Sequence, residues 1–460
     1  MRTIAALALA LALATSASAQ APDAAARTRV RAALDSIARQ AVDGARAAGF
    51  VAVAVRGRDT LAAVAYGRAD VENDAPLSVH HTFQYASITK QFTAAAVLTL
   101  VDAGKVALDA PVTRYLPDAP VRGRAITVRQ LLSHTSGLPD FAEAPRSQVL
   151  RRLDLPPDSM LALVRDTPMY FAPGEAMRYS NTGFALLGQL IERVSGQPYA
   201  SYVEQQVLRP AGATRAHFCA LTRLVPKLAR GYTLGPDGIQ PAKYISPSAP
   251  WAAGGFCGTA ADLTAWNTTL HARRGGGVIT PASHAEMVRA GLLQDGRRTR
   301  YGLGVALGEL AGRRAVAHGG DIDGFTTFTA WLPDDTLSVT VLINTQGPTR
   351  PDVVAAALVV AALGAPVTAA VPQPPTLSPF VGHYADDVDV TEVTDAAGRP
   401  ALRFARGPLP PVVLRVSARN GDAWTFTDGR ARYTFEPVAG GGMSMWADMG
   451  VSLVRWDRRR

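Results

Sequence analysis

Two apolar runs, residues 51–55 and 61–66, flank Gly57-Arg58-Asp59, and this pattern predicts a β-hairpin near the start of the chain. Residues 88–101 are apolar nearly all round and stop at Gly104, as a helix buried on every face does. Helical patterns follow at 128–133, 184–194, 260–268 and 351–363, and strand patterns return at 301–307, 314–317, 326–331 and 337–342. Strands at both ends with helices between them predict an α+β fold whose sheet is closed by residues distant in sequence. The uncharged run 353–363 has only 11 residues, which suits a buried helix and not a membrane span.

Pro366, Pro372, Pro374, Pro375 and Pro379 crowd one short stretch, a composition that sustains neither helix nor central strand. Residues 366–379 therefore read as a stiff linker. Beyond it, segments 401–405, 423–427, 431–436 and 443–446 are short, alternating and separated by Gly or Asp-Gly turns. They predict a small antiparallel β-domain over 380–460, behind a main domain over 20–365. No repeat at a fixed period is visible.

Arg2, the apolar stretch 4–14 and Ala17-Ser18-Ala19 before Gln20 have the order of a secretory signal peptide, so residues 1–19 are expected to be removed and the protein exported, to a periplasm or beyond. The stretch falls short of the about 20 apolar residues that span a bilayer, and no cysteine follows the cleavage site to carry a lipid. At 48% hydrophobic and 18% charged residues the chain is of globular and not disordered composition. Its net charge of +9 is spread along the sequence, with Arg458-Arg459-Arg460 the only tight basic run, which argues against a nucleic-acid face. Cys219 and Cys257 are the only cysteines; pairing is open, and neither has the context of a catalytic thiol.

Three short motifs carry potential chemistry. Ser87-Ile88-Thr89-Lys90 opens the buried helix, placing Ser87 and Lys90 one turn apart on one face, where a desolvated amine can take the hydroxyl proton. Tyr179-Ser180-Asn181, placed on a loop, offers a phenol that can shuttle a proton and an amide that can bind a carbonyl. His318-Gly319-Gly320, between two strand-like segments, lets a ligand approach the backbone closely. Each motif alone is also compatible with a purely structural role: a helix start, a packed tyrosine, a tight turn. Ser133, His134 and Ser136 look like a triad, but adjacent residues rarely face one another, and Thr135-Ser136-Gly137 reads as a turn. No metal-ligand spacing and no phosphate-binding loop occurs, so neither a metal nor a cofactor is implied.

In order and spacing the three motifs resemble those of the penicillin-recognising serine hydrolases, which include class C β-lactamases, serine D-alanyl-D-alanine carboxypeptidases, D-aminopeptidases and related esterases. Gly67-Arg68-Ala69-Asp70, the run from Leu131 to Leu138, and Gly254-Gly255 through Asp262-Leu263 extend the resemblance over roughly residues 30–365. The C-terminal region resembles the small lipocalin-like β-domain often appended in that family. The resemblance implies a β-lactamase/transpeptidase-like fold and no cofactor. It further implies Ser87 as acylated nucleophile, Lys90 as its proton partner, Tyr179 as proton carrier, and Asn181, His318 and Gly320 as substrate-binding residues. The backbone N–H groups of Ser87 and Asp321 would form the oxyanion hole. Gly319 replaces a hydroxyl residue that helps hold a substrate carboxylate, which turns the expectation from penicillins toward D-amino acid peptides, small amides or esters. His318 stands where β-lactamases commonly have lysine, and an acidic limb of the pH profile is expected from it. A carboxylesterase, a β-lactamase and a ligand-binding module without turnover are the alternatives. The partner is a small-molecule or peptide substrate, and the oligomeric state is not readable.

Overall fold

A computed structural model describes residues 24–364, 374–385, 390–396, 399–404, 412–420, 422–427, 432–438, 442–448 and 452–458. The expected signal segment and much of the proline-rich stretch lie outside them. Among the described residues no helix is long and apolar enough to cross a membrane.

The main sheet joins the two ends of the sequence. Its strands are β1 (Gly49–Arg56), β2 (Asp59–Asp70), β3 (Ala75–Pro76), β4 (Ala306–Leu310), β5 (Arg313–Ile322), β6 (Phe325–Leu332) and β7 (Leu337–Ile343). They lie in the order β4-β5-β6-β7-β1-β2-β3, with β1 antiparallel to β7 from Phe50 opposite Ile343 to Arg56 opposite Leu337. The central strand explains its own sequence. Phe50, Ala52 and Ala54 pack on one face against α1 (Ala24–Ala38) and the last helix of this region, Pro351–Leu363. Val51 and Val53 enter the helical core on the other face. A strand covered on both sides has no polar alternation to show.

The helical core is centred on α2 (Thr89–Asp102), of which residues 89–98 and Leu100 are buried. Phe92 meets Trp266 edge-on, with ring centroids 4.9 Å apart, and Trp266 Nε1 donates to Gln91 Oε1 at 3.1 Å, so the one polar atom of the indole is satisfied. Each such fully buried apolar side chain contributes about 1.5–3 kcal/mol. α3 (Asn181–Ser195) packs on α2 and ends at Gly196, whose φ of 72° is the left-handed value that glycine adopts without strain.

Four local expectations change. The segment 301–307 is a strand only from Ala306, because Gly302 and Gly304 turn the chain against α2: a Cβ on Gly304 would lie 2.7 Å from Lys90 O. β5 runs through His318-Gly319-Gly320, so that motif is strand and not a connection. Ser87 sits on the 3-10 turn Ala86–Ile88 that leads into α2. Asn181 is the first residue of α3, with only Tyr179 and Ser180 left outside an element. The structure also closes the cysteine question: Cys219 and Cys257 form a disulfide with Cα atoms 5.4 Å apart.

The C-terminal region forms a second, antiparallel sheet with strands from Gly382–Ala385 to Ser452–Arg458, and Phe380, Tyr384, Phe426 and Phe435 pack edge-on in its core. Among the described residues, one of its ten strands is borrowed from the first region: Met177–Arg178 pairs antiparallel with Leu453 and Ser452.

Candidate active site

The turn that carries Ser87 is held from two sides. Tyr85 N donates to Phe256 O at 2.8 Å, and Tyr85 O accepts from Thr327 Oγ1 of β6 at 2.9 Å. Ala86, immediately before the serine, has a φ of 50°, a conformation that costs a non-glycine residue energy and persists only where its surroundings impose it. β5 lies directly against this turn. A Cβ on Gly320 would fall 2.2 Å from Tyr85 O, so only glycine permits the approach.

Lys90 is wholly buried, and its Nζ donates to Ser87 Oγ (3.1 Å), Asn181 Oδ1 (2.8 Å) and Ala253 O (2.8 Å). The three donors of the ammonium are thus all used. Burial brings its pKa down to about 7, opposed by the charge of Asp140. Asp140, itself buried, caps the turn Phe141–Glu143 by accepting from Ala142 N at 3.0 Å and accepts from Asn181 Nδ2 at 2.9 Å. Burial raises its carboxyl above the usual range, against those hydrogen bonds and Lys90. An ammonium can only donate and a carboxylate can only accept, so this pair of neighbours fixes which way the Asn181 amide points.

The Tyr179 hydroxyl is buried and faces the Ser87 hydroxyl. Burial raises its pKa strongly, and the facing Ser87 hydroxyl opposes that rise. Lys90 Nζ lies 4.6 Å from the centre of its ring. His134, itself at a φ of 58°, brackets this tyrosine: its carbonyl accepts from Arg178 N at 3.0 Å, its Nδ1 accepts from Ser180 N at 3.2 Å, and its ring lies 4.3 Å from that of Tyr179.

His318 is buried with both ring nitrogens engaged. Nδ1 is 2.6 Å from Gly319 O and Nε2 is 2.7 Å from Tyr301 Oη. A carbonyl only accepts, so Nδ1 carries the hydrogen and Nε2 accepts from the phenol. Burial, aided by Lys90, lowers its pKa to about 3. The acidic limb expected of His318 is therefore corrected: the ring is held neutral on β5 by its two contacts, and the group placed to titrate near neutrality is Lys90.

A cleft of about 190 Å3 opens over Ser87, Asn181 and Asp321. Across it Arg151 pairs with Asp323 at 3.0 Å, and Gln346 Nε2 donates to Asp321 Oδ1 at 2.6 Å. Among the described residues no group of three or more His, Cys, Asp or Glu side chains is placed to hold a metal ion.

The fold thus gathers Ser87, Lys90, Tyr179 and Asn181 into one cluster, backed by Gly320 and His318. Sequence reasoning missed Asp140 and Tyr301 and set His134 aside. The partners of these residues lie far along the chain, and none stands in a spacing that would announce it.

Comparison with known proteins bears on the fold and the family. The family model described as Beta-lactamase matches residues 34–364. The chain is 31% identical to Esterase EstB of Burkholderia gladioli over 68% of its own length and 90% of that protein. It is 27% identical to a D-aminopeptidase of Brucella anthropi over 88% of its length and 76% of that protein. An octameric penicillin-binding protein homologue from Pyrococcus abyssi shares the fold, with a TM-score of 0.65 and 23% identity over 93% of this chain and 99% of that one. With a serine lining a cleft and hydrogen-bonded to a buried lysine, and a family model spanning most of the sequence, the chain belongs to the beta-lactamase family and is a serine hydrolase.

Proposed function

We propose that the protein is an exported hydrolase that cleaves D-aminoacyl amides and peptides, other small amides, or esters through an acyl-enzyme on Ser87. The observation that carries the reading is the contact between Ser87 Oγ and Lys90 Nζ at 3.1 Å, in a site buried enough to free the amine of its proton near pH 7. The neutral amine takes the Ser87 proton as Oγ attacks the substrate carbonyl. The oxyanion that forms accepts from the backbone N–H groups of Ser87 and Asp321 on the facing edge of β5. The proton passes through the Tyr179 hydroxyl to the departing amine or alcohol, and the carbonyl reforms as the acyl-enzyme. Water then attacks by the reverse route, giving up one proton through Tyr179 to Lys90, and Lys90 returns a proton to Ser87 Oγ as the product acid leaves.

Asn181 holds the acyl side of the substrate at the lip of the cleft while its own carbonyl steers Lys90. The identity shared with Esterase EstB and with the D-aminopeptidase supports both ester and D-aminoacyl substrates. Gly319 supplies no hydroxyl for a substrate carboxylate and speaks against penicillins. Export rests on the signal-like segment 1–19.

The test is time-resolved intact mass and product analysis of the mature protein with a p-nitrophenyl ester, D-alanine amide and a penicillin, beside Ser87→Ala. A transient acyl adduct and turnover, both lost in Ser87→Ala, are expected with the ester or the amide. Binding without adduct or product would return the protein to a ligand-capturing role.

A further inference from the structure

We propose that the C-terminal sheet is a working part of the active site, with Trp446 and Tyr301 as positioning residues that hold Tyr179 against Ser87. The proposal rests on the acyl-enzyme reading for its consequence in rate, and on geometry alone for its consequence in order.

Three observations converge on the segment 177–180. The first is backbone pairing. Met177–Arg178, which directly precedes Tyr179, is not part of the main sheet; it pairs with Leu453 and Ser452 of the C-terminal one. The residue proposed to carry the proton therefore leaves from the end of a strand whose ladder partner lies some 275 positions away in the chain. The second is a buried apolar joint. Met177, Leu293, Tyr301 and Trp446 form a cluster of their own, in which Trp446 is the contribution of the C-terminal sheet. Arg297 lies 4.2 Å above the Trp446 ring and makes a two-pronged pair with Glu436, so the joint is covered by a cation at its rim.

The third is the path inward from that joint. Tyr301 presents its hydroxyl to His318 Nε2 at 2.7 Å and its ring to His134 at 4.7 Å. His134 in turn stacks on Tyr179 and binds the backbone on both sides of it. Among the described residues the Tyr179 hydroxyl meets only Ser87, the group it serves, and no other side chain hydrogen-bonds to it to hold it in place. Its placement over Ser87 is thus determined by packing behind it, and that packing ends on Trp446. A shift of about 1 Å in such a group costs on the order of a hundredfold in rate.

The experiment uses the full mature chain as wild type, Trp446→Ala, Trp446→Phe and Arg297→Ala. Pre-steady-state release from a p-nitrophenyl ester counts acylatable Ser87 sites and gives kcat and KM per site. Amide hydrogen exchange of the peptide containing residues 175–183 reports order without reference to activity. For Trp446→Ala we expect kcat per titrated site to fall at least tenfold with KM within about threefold, and the peptide to exchange at least tenfold faster. Trp446→Phe, which keeps an aromatic ring in the joint, should recover most of both. Arg297→Ala, a rim change that leaves the joint itself, should give a smaller loss in the same direction and keeps the test open if Trp446→Ala does not fold. Fewer titratable sites with unchanged kcat per site, or exchange at wild-type rates in both variants, would overturn the proposal. If the wild type forms no acyl-enzyme, the proposed function fails, while the exchange result still decides whether the C-terminal sheet orders the Tyr179 segment.

Discussion

In the wild-type site, burial drives the Lys90 ammonium toward neutrality and the Asp140 carboxylate holds the proton on. If neutral Lys90 is the base for Ser87, kcat/KM rises with pH and reaches half its plateau near 7; at pH 5 only about 1% of the enzyme is in the active form. Asp140→Asn removes the opposing charge, so the limb moves to lower pH. The two charges are separated by the Asn181 amide and two hydrogen bonds, roughly 6–8 Å, for which an effective dielectric near 20 gives about 2 kcal/mol of attraction. Lost attraction of that size raises kcat/KM at pH 5, relative to the variant's own plateau, by roughly 20-fold. The plateau itself will fall, because asparagine must turn its NH2 group toward either Ala142 N–H or the Asn181 amide, and one buried hydrogen bond is lost at a cost of about 1–3 kcal/mol.

The assay is kcat/KM for an uncharged p-nitrophenyl ester from pH 4.5 to 9 at constant ionic strength, so that no substrate group titrates. His318 and His134 are held far below neutrality by burial and do not produce a limb there. Asp321, which burial raises, lies on β5 facing Gln346, and a limb due to it would stay in place when Asp140 is changed. A limb unmoved by Asp140→Asn, or displaced to higher pH, would refute Lys90 as the base.

Tyr179→Phe removes the hydroxyl from the proton path and keeps the ring between Lys90 and His134; kcat is expected to fall by about 10²- to 10⁴-fold, measured by steady-state ester hydrolysis, with circular dichroism unchanged. Gly320→Ala pushes β5 from the Ser87 turn, since the new Cβ meets a backbone oxygen; a loss of about 1–3 kcal/mol in urea unfolding and more than tenfold in kcat/KM is expected. Replacing Cys219 and Cys257 together by alanine opens a loop with a sequence separation of 38, and chain entropy predicts a loss of about 4 kcal/mol in the same unfolding assay, with kcat/KM at 25 °C nearly retained.

The hairpin, the buried helix and the strands that close the sheet were legible because burial patterns repeat with the period of each element. The motif boundaries were less so. Nothing near His318 shows that β5 continues to Ile322, since two glycines weaken a strand pattern while serving close approach to the Ser87 turn. The segment 301–305 looked like strand because it is apolar, yet its glycines bend it against α2.

By itself the sequence determined what depends on near neighbours. Ser87 and Lys90 meet because three positions make one helical turn, and Asn181 can begin a helix because the residues after it carry an apolar face. Only the tertiary structure decided what depends on elements distant in the chain. It set Asp140 behind Asn181, tied up both nitrogens of His318, turned His134 from a triad look-alike into the bracket of Tyr179, and ran the strand before Tyr179 into the C-terminal sheet. Those contacts arise when whole elements pack, and the spacing of residues along one element carries no record of which other element will lie against it.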